Sequence, residues 1–277
     1  MAIRFGPAGI PLQCEGGTLD GVKCCRELGL DAMEMEFVQG VRMREGMARE
    51  VAAEAKELDV SLSSHAPYFV NLCSREPEKV ANSRRHILGS ARITALAGGG
   101  ITVFHPGFYQ DLTPAEAFDA AKNALKSIEA ELKSGGVKIR LGAETVGKKS
   151  AFGGLDENIR LAQELELVEP VIDFAHLHAR GDFRLNGEAD YKAVFDRLEK
   201  ELDGYVKRFH CHFSEINYSA KGELNHFPLG TNNEPPFRPF MKVLAENGYS
   251  GTVICETPKL DQDALVMQKE YRRLGGK

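Results

Sequence analysis

The sequence predicts an α/β fold, a single-domain (β/α)8 barrel spanning 1–277, and three observations predict it. Short apolar runs alternate with helix-patterned stretches from one end of the chain to the other. The apolar runs number eight, the count a closed parallel barrel needs. The first run is not followed by the Gly-rich phosphate turn that an open doubly wound sheet, the alternative architecture, usually carries there.

Taken in order, the strand candidates are 3–8, 32–37, 60–65, 101–106, 138–145, 168–173, 207–213 and 252–257. The helices between them are expected over 18–29, 47–58, 78–97, 114–134, 155–166, 188–203, 236–247 and 261–274. In the second helix Met47, Val51, Ala55 and Leu58 share a face. The fourth has the clearest start: Thr113-Pro114-Ala115-Glu116 is a capping box with proline at the first helical position. Phe118, Ala121, Leu125, Ile128 and Leu132 then recur at helical spacing until Gly135-Gly136 ends the run. No repeat, linker or low-complexity tract interrupts the pattern.

Composition excludes little and bounds much. With 43% hydrophobic and 27% charged residues, the chain can bury a large core without staples. Its 35 Lys and Arg against 40 Asp and Glu give no global basic signal, so any nucleic-acid surface must be local. The six cysteines, at 14, 24, 25, 73, 211 and 255, form no Cys-x-x-Cys pair and read as reduced, mostly buried thiols. The N-terminus has no signal-peptide core and no apolar run approaches the ~18 residues of a membrane span, so a cytoplasmic protein with no membrane partner is expected.

Chemistry enters at the strand ends. His65 ends the third strand, His105 falls at the end of the fourth, Glu144 of the fifth and Asp173 of the sixth. His212 is near the end of the seventh and Glu256 near the end of the eighth. His176 is expected in the loop beyond Asp173, and His226 in the loop after strand seven. Active sites of such barrels are built at this rim, and imidazole with carboxylate is the ligand set of zinc, with manganese or iron as substitutes. Any one of these residues reads as a hydrogen-bonded structural group or a helix cap; helix caps do not explain histidines at successive strand ends. Eight candidates exceed the needs of one ion. The count favours a cluster of two or three ions, an arrangement suited to attack on a phosphodiester. Lys148, Lys149, Arg180, Arg184, Lys221 and Lys259 follow strands five to eight and are candidate phosphate contacts, although each alone reads as solvated loop charge. His86, inside a helix, is assigned no role, and His178 and His210 are expected to be structural or to support the ligands.

With these residues placed, the chain resembles the endonuclease IV family of apurinic/apyrimidinic (AP) endonucleases, TIM barrels of the xylose-isomerase-like superfamily. The resemblance rests on SHAPYFVNL at 64–72, FHPGFY at 104–109, GAETVGKKSAFG around Glu144, IDFAH at 172–176, CHFSE at 211–215, NHFPLG at 225–230 and CETP at 255–258. It implies a zinc-dependent hydrolase of DNA repair that cuts the phosphodiester 5′ to an abasic site. It further implies that His65 and His105 bind one zinc and Asp173, His212 and Glu256 a second, with Glu144 bridging them as the catalytic carboxylate. His176 and His226 then hold a third ion, and Tyr68 enters the DNA minor groove. The implied partner is abasic DNA, bound by a monomer. Two positions depart from the family. Leu224 stands where an aspartate ligand is expected, with Glu223 one position off, and Arg42 is only a near match to the family's DNA-contacting arginine.

The rival reading is a sugar isomerase or epimerase of the same superfamily, in which Glu144, Asp173, His212 and Glu256 bind one metal and the two glutamates move protons. Glu34 and Glu36 have no role in the nuclease reading and would suit a sugar; the surplus histidines have none in the epimerase reading. A third reading is a zinc-stabilised barrel that binds without catalysis.

Overall fold

The computed structural model describes residues 3–276. The eight expected strands are all present, each within a few residues of its expected limits: β1 (Ile3–Pro7), β2 (Ala32–Glu36), β3 (Ser61–His65), β4 (Ile101–Phe104), β5 (Arg140–Glu144), β6 (Val168–Asp173), β7 (Phe209–Phe213) and β8 (Gly251–Cys255). They form one parallel sheet in the order β1-β8-β7-β6-β5-β4-β3-β2. The sheet curls until β1 meets β2. There a single parallel bridge, Ala8 to Glu34, and the Gly9 N–H donating to the Glu34 carbonyl at 2.9 Å nearly close the barrel. The approach is tight: a Cβ on Gly6 would lie 2.0 Å from the Ala32 carbonyl oxygen, so only glycine fits at that seam.

Helices α1 (Thr18–Glu27), α2 (Glu45–Glu57), α3 (Pro77–Leu96), α4 (Pro114–Ser134), α5 (Leu155–Glu164), α6 (Phe174–Arg180), α7 (Glu188–Glu201), α8 (Phe237–Glu246) and α9 (Leu260–Arg273) surround it. The capping box of α4 forms as the sequence predicts: Thr113 Oγ1 accepts from Glu116 N at 3.3 Å, and Thr113 N donates to the Glu116 carboxylate at 2.8 Å. The main apolar core lies between the strands and this helical shell, from Phe5, Met33 and Phe240 on one side to Phe104, Phe118 and Leu141 on the other. No helix among the described residues is long and apolar enough to cross a membrane.

Alternation along each strand sorts the barrel interior into levels. At the lower mouth, Glu169 of β6 accepts from Arg140 at 2.6 Å and from Arg208 at 2.8 Å, bridging two strands. Ile101, Val103 and Val171 form a small apolar cluster above it. The last inward positions at or just past the strand ends are Glu36, His65, His105, Glu144, Asp173, His212 and Glu256, so seven strands deliver a polar residue to the same mouth of the barrel.

Three features differ from the sequence reading. Cys14 and Cys24 form a disulfide, with Cα atoms 6.3 Å apart, while the other four cysteines are free and buried. The pairing brings the loop after β1 against α1, a contact between segments that thiol spacing does not reveal. His176 lies in α6 rather than in a loop, because Asp173 caps that helix by accepting from His176 N at 2.7 Å. The connection after β7 is an antiparallel hairpin, Glu215–Ser219 with Gly222–Phe227, that carries His226.

Candidate metal centre

Glu144 is the hub. Fully buried at the end of β5, its Oε2 lies 2.8 Å from His65 Nε2 and 3.0 Å from His105 Nε2. Its Oε1 lies 3.1 Å from His212 Nδ1 and 3.4 Å from His176 Nδ1. Donor atoms of His65, His105 and Glu144 fall within 4.8 Å of one another, as do those of Glu144, Asp173, His212 and Glu256, and those of Asp173, His176 and His226. Glu144 therefore belongs to two sets and Asp173 to two. All eight residues predicted as ligands are brought together.

The imidazoles are turned to present lone pairs inward. His65 Nδ1 lies 2.7 Å from the Ala66 carbonyl, His176 Nδ1 3.0 Å from that of Thr145, and His226 Nδ1 3.1 Å from that of Glu256. A ring nitrogen beside a carbonyl must carry the proton, which leaves each Nε2 free as a ligand. The consequence is electrostatic crowding. His176 Nε2 and His226 Nε2 face each other at 3.1 Å, with Glu223 Oε2 3.0 Å from His176 Nε2. Asp173 Oδ2 and Glu36 Oε1 are buried without a hydrogen-bond partner. Opposed lone pairs and an orphaned carboxylate oxygen are the donor arrangement a cation satisfies, so the residues fit divalent metal. Protons alone would have to substitute: burial, reinforced by Glu256, pushes Asp173 up to about 6 against the pull of His176. Burial likewise raises Glu36 to about 7, and His65, despite its own burial, is pushed up to about 9 by its bond to Glu144.

A second carboxylate stands beside the third donor set, with Glu223 Oε2 3.0 Å from His176 Nε2. In the hairpin Asn217 pairs with Asn225 and Tyr218 with Glu223, so Leu224 is an extra, bulged residue. Its side chain is 59% exposed. The bulge shifts the alternation by one and turns Glu223 to the face of His226, where Gly147 N also donates to its Oε2 at 2.9 Å.

A cavity of about 490 Å³ opens over the cluster, lined by Glu36, Tyr68, His105, His176, His226 and Glu256 among others. Tyr68 stands at its edge, 42% exposed, donating to Glu36 Oε2 at 3.0 Å with its ring 4.7 Å from that of His65. Lys148 and Lys149 are exposed on the rim. Arg180 is not: its guanidinium is buried and donates to the carbonyls of Lys148 at 2.8 Å and Ala151 at 3.0 Å, and to Asp182 at 2.9 Å. It ties down the loop that carries the lysines. Arg42 lines a neighbouring cavity of about 630 Å³ that shares Glu36.

Sequence reasoning left three residues without a function here. Glu34 and Glu36 alternate with Met35, which signals one inward face and two carboxylates on it. Glu215, in the CHFSE segment, accepts from the N–H groups of Gly230, Thr231, Asn232 and Asn233 at 2.7–2.9 Å and so anchors the loop after the hairpin.

Comparison with known proteins decides the family. The xylose isomerase-like TIM barrel family model matches residues 22–274. The chain belongs to that family. An uncharacterized protein of Methanocaldococcus jannaschii is 36% identical over 275 residues, covering 99% of this chain and 98% of its own. A probable endonuclease 4 of Mycoplasma genitalium is 26% identical over 219 residues, covering 74% of this chain and 70% of its own. Among solved structures, a D-tagatose 3-epimerase-like protein superimposes with a TM-score of 0.74 at 17% identity, covering 99% of this chain and 97% of that one. This xylose isomerase-like barrel is thus similar in sequence to a probable endonuclease 4 and in fold to a D-tagatose 3-epimerase-like protein.

Proposed function

We propose that the chain is a divalent-metal-dependent, preferentially zinc-dependent, endonuclease that hydrolyses the DNA phosphodiester 5′ to abasic sites. The observation that carries this reading is the surplus of ligands: three donor sets joined through Glu144 and Asp173, with the Glu223 carboxylate beside the third. A single-metal epimerase needs only one of them. Divalent ions held there would lower the pKa of a water nucleophile and neutralise the phosphoryl and leaving oxygens.

The protein's own groups do the rest. Glu144 holds the two sets at a fixed spacing. The carbonyls of Ala66, Thr145 and Glu256 keep His65, His176 and His226 in one tautomer. Tyr68, steadied by Glu36, offers an aromatic face at the mouth. Among the described residues, six of the eight exposed large apolar side chains, Leu12, Val38, Tyr68, Phe69, Phe108 and Leu224, lie on segments that follow strand ends, around the site rather than on the outer helices. A rim of that kind suits wedging into a base stack and stacking on exposed bases, and the exposed Lys148 and Lys149 would be the phosphate contacts in this reading.

One observation favours the second reading, a sugar isomerase or epimerase: Glu36 lines the cavity, and one of its carboxylate oxygens is buried there without a partner. The two are separated by incubating metal-replete protein with an abasic-site duplex, an undamaged duplex and free ketoses. Incision confined to the 5′ side of the lesion, leaving a 3′ hydroxyl, is expected. Epimerised ketose with both duplexes intact would establish the second reading.

A further inference from the structure

Beneath the donor sets the barrel is polar where its interior ordinarily holds branched aliphatic side chains. Glu34 on β2 lies beside Ser63 on β3 in the strand register, and Ser63 Oγ donates to Glu34 Oε2 at 2.6 Å. The same Oε2 is hydrogen-bonded to His210 Nε2 at 3.0 Å, while Oε1 lies 2.9 Å from His212 Nε2 but out of hydrogen-bond alignment, so that each of these two buried atoms has only the other as a neighbouring partner. Glu34 and His212 are fully buried, and Ser63 and His210 are 3% and 4% exposed. Withdrawing a carboxylate from water this completely costs several kcal/mol unless its partners compensate. Val103 and Val171, inward on β4 and β6, show that the barrel interior also accepts an aliphatic side chain.

We propose that Glu34 is a positioning residue for the metal centre, holding His212 with its proton on Nε2 so that Nδ1 is the ligand. This rests on the metal reading of the site above it. His65, His176 and His226 each give their outer nitrogen to a main-chain carbonyl. His212 instead has a carboxylate oxygen 2.9 Å from its outer nitrogen, close enough that a small rotation of either side chain completes the bond, while Nδ1 lies 3.1 Å from both Glu144 Oε1 and Glu256 Oε1. A carboxylate in that place fixes the ring and raises its basicity more than a carbonyl does. Ser63 and His210 in turn hold the carboxylate. The alternative, a further cation bound by Glu34, His210 and His212 themselves, would require His212 to ligate through both nitrogens in a layer sealed from solvent.

The test uses the full chain with zinc alone as ligand, measured by competition against a chromophoric chelator. Glu34→Gln should keep the number of bound ions and weaken one of them about 10–100-fold, the loss typical of an outer carboxylate partner. Ser63→Ala should weaken the same ion less. In the zinc-loaded native chain labelled with 15N-histidine, two-bond 15N–1H couplings should show His212 protonated at Nε2, a readout that survives even if Glu34→Gln does not fold. Native affinity in Glu34→Gln, or a proton on Nδ1 of His212, would overturn the proposal, and so would the loss of one whole ion with the others unaltered. A native chain that retains no zinc overturns the metal reading and this proposal together, whereas native zinc binding with an indifferent Glu34→Gln overturns this proposal alone.

Discussion

At the scale of single residues, the centre depends on which groups are shared. Glu144 touches four histidines through two oxygens, so a neutral amide there would remove the bridge between two donor sets. Glu144→Gln should therefore leave the fold intact and cut incision by more than about 100-fold, exceeding the loss expected for an outer partner. Single-turnover assays on an abasic duplex check this; near-native turnover would remove Glu144 from its role. Arg180 makes the opposite case. Its guanidinium is spent on main-chain carbonyls, and deleting it leaves buried acceptors unpaired at roughly 1–3 kcal/mol each. Arg180→Met should lower unfolding stability in urea by about 3 kcal/mol while the salt dependence of DNA binding stays as in the native chain. A slope reduced by about one, with native stability, would mark it as a phosphate contact instead. The strand-end histidines and carboxylates were legible in sequence because alternation and strand position fix where they point. The burial of Arg180 was not, since the same basic residue after a strand end serves equally well as solvated charge or as a tie for a loop.

At the scale of elements, the hairpin after β7 shows where sequence spacing stops being a guide. A position-by-position reading puts Leu224 in the ligand's place and leaves the third set short. The bulge at Leu224 inserts one residue into the ladder, and everything before it in that strand changes face. Nothing in Gly-Glu-Leu-Asn-His announces a bulge, because it is set by pairing with Asn217 and Tyr218 across the hairpin. The eight strands, by contrast, were legible from apolar runs bounded by turn residues, and α4 from its capping box. The seven-residue α6 has too short a run for periodicity to register. The bulge makes a sharp prediction. Glu223→Gln should weaken the ion held by Asp173, His176 and His226 by an order of magnitude or more, since a neutral amide replaces a charged oxygen 3.0 Å from His176 Nε2. Leu224→Asp, placed on the solvent side, should change zinc stoichiometry under graded chelation very little. Tighter zinc in Leu224→Asp with no loss in Glu223→Gln would mean that the strand runs without the bulge in solution.

At the scale of the whole molecule, the barrel carries carboxylates at its centre that only cations or protons can balance. Glu34, Glu144 and Asp173 are fully buried, and Glu36 and Glu256 are largely enclosed around the same axis, in a chain whose formal net charge is already −5. Ions that bind the folded barrel and not the unfolded chain stabilise it by mass action, by about 4 kcal/mol when free metal stands a thousandfold above its dissociation constant. For a domain of this size that corresponds to a shift on the order of 8 °C in melting temperature. Protein purified without chelator should carry at least two transition-metal ions per chain, mostly zinc, because each of the three donor sets offers three or four protein ligands, some of them shared. Stripping them should lower the melting temperature by that amount, and adding zinc back should restore it, whereas calcium, which prefers all-oxygen sites, should not. The measurement is a pair of thermal scans with elemental analysis at each stage. A barrel that melts at one temperature with and without its metal would show that the buried carboxylates are balanced by the surrounding imidazolium groups alone, and the three donor sets would then have to be read as a hydrogen-bonded network rather than as a metal centre.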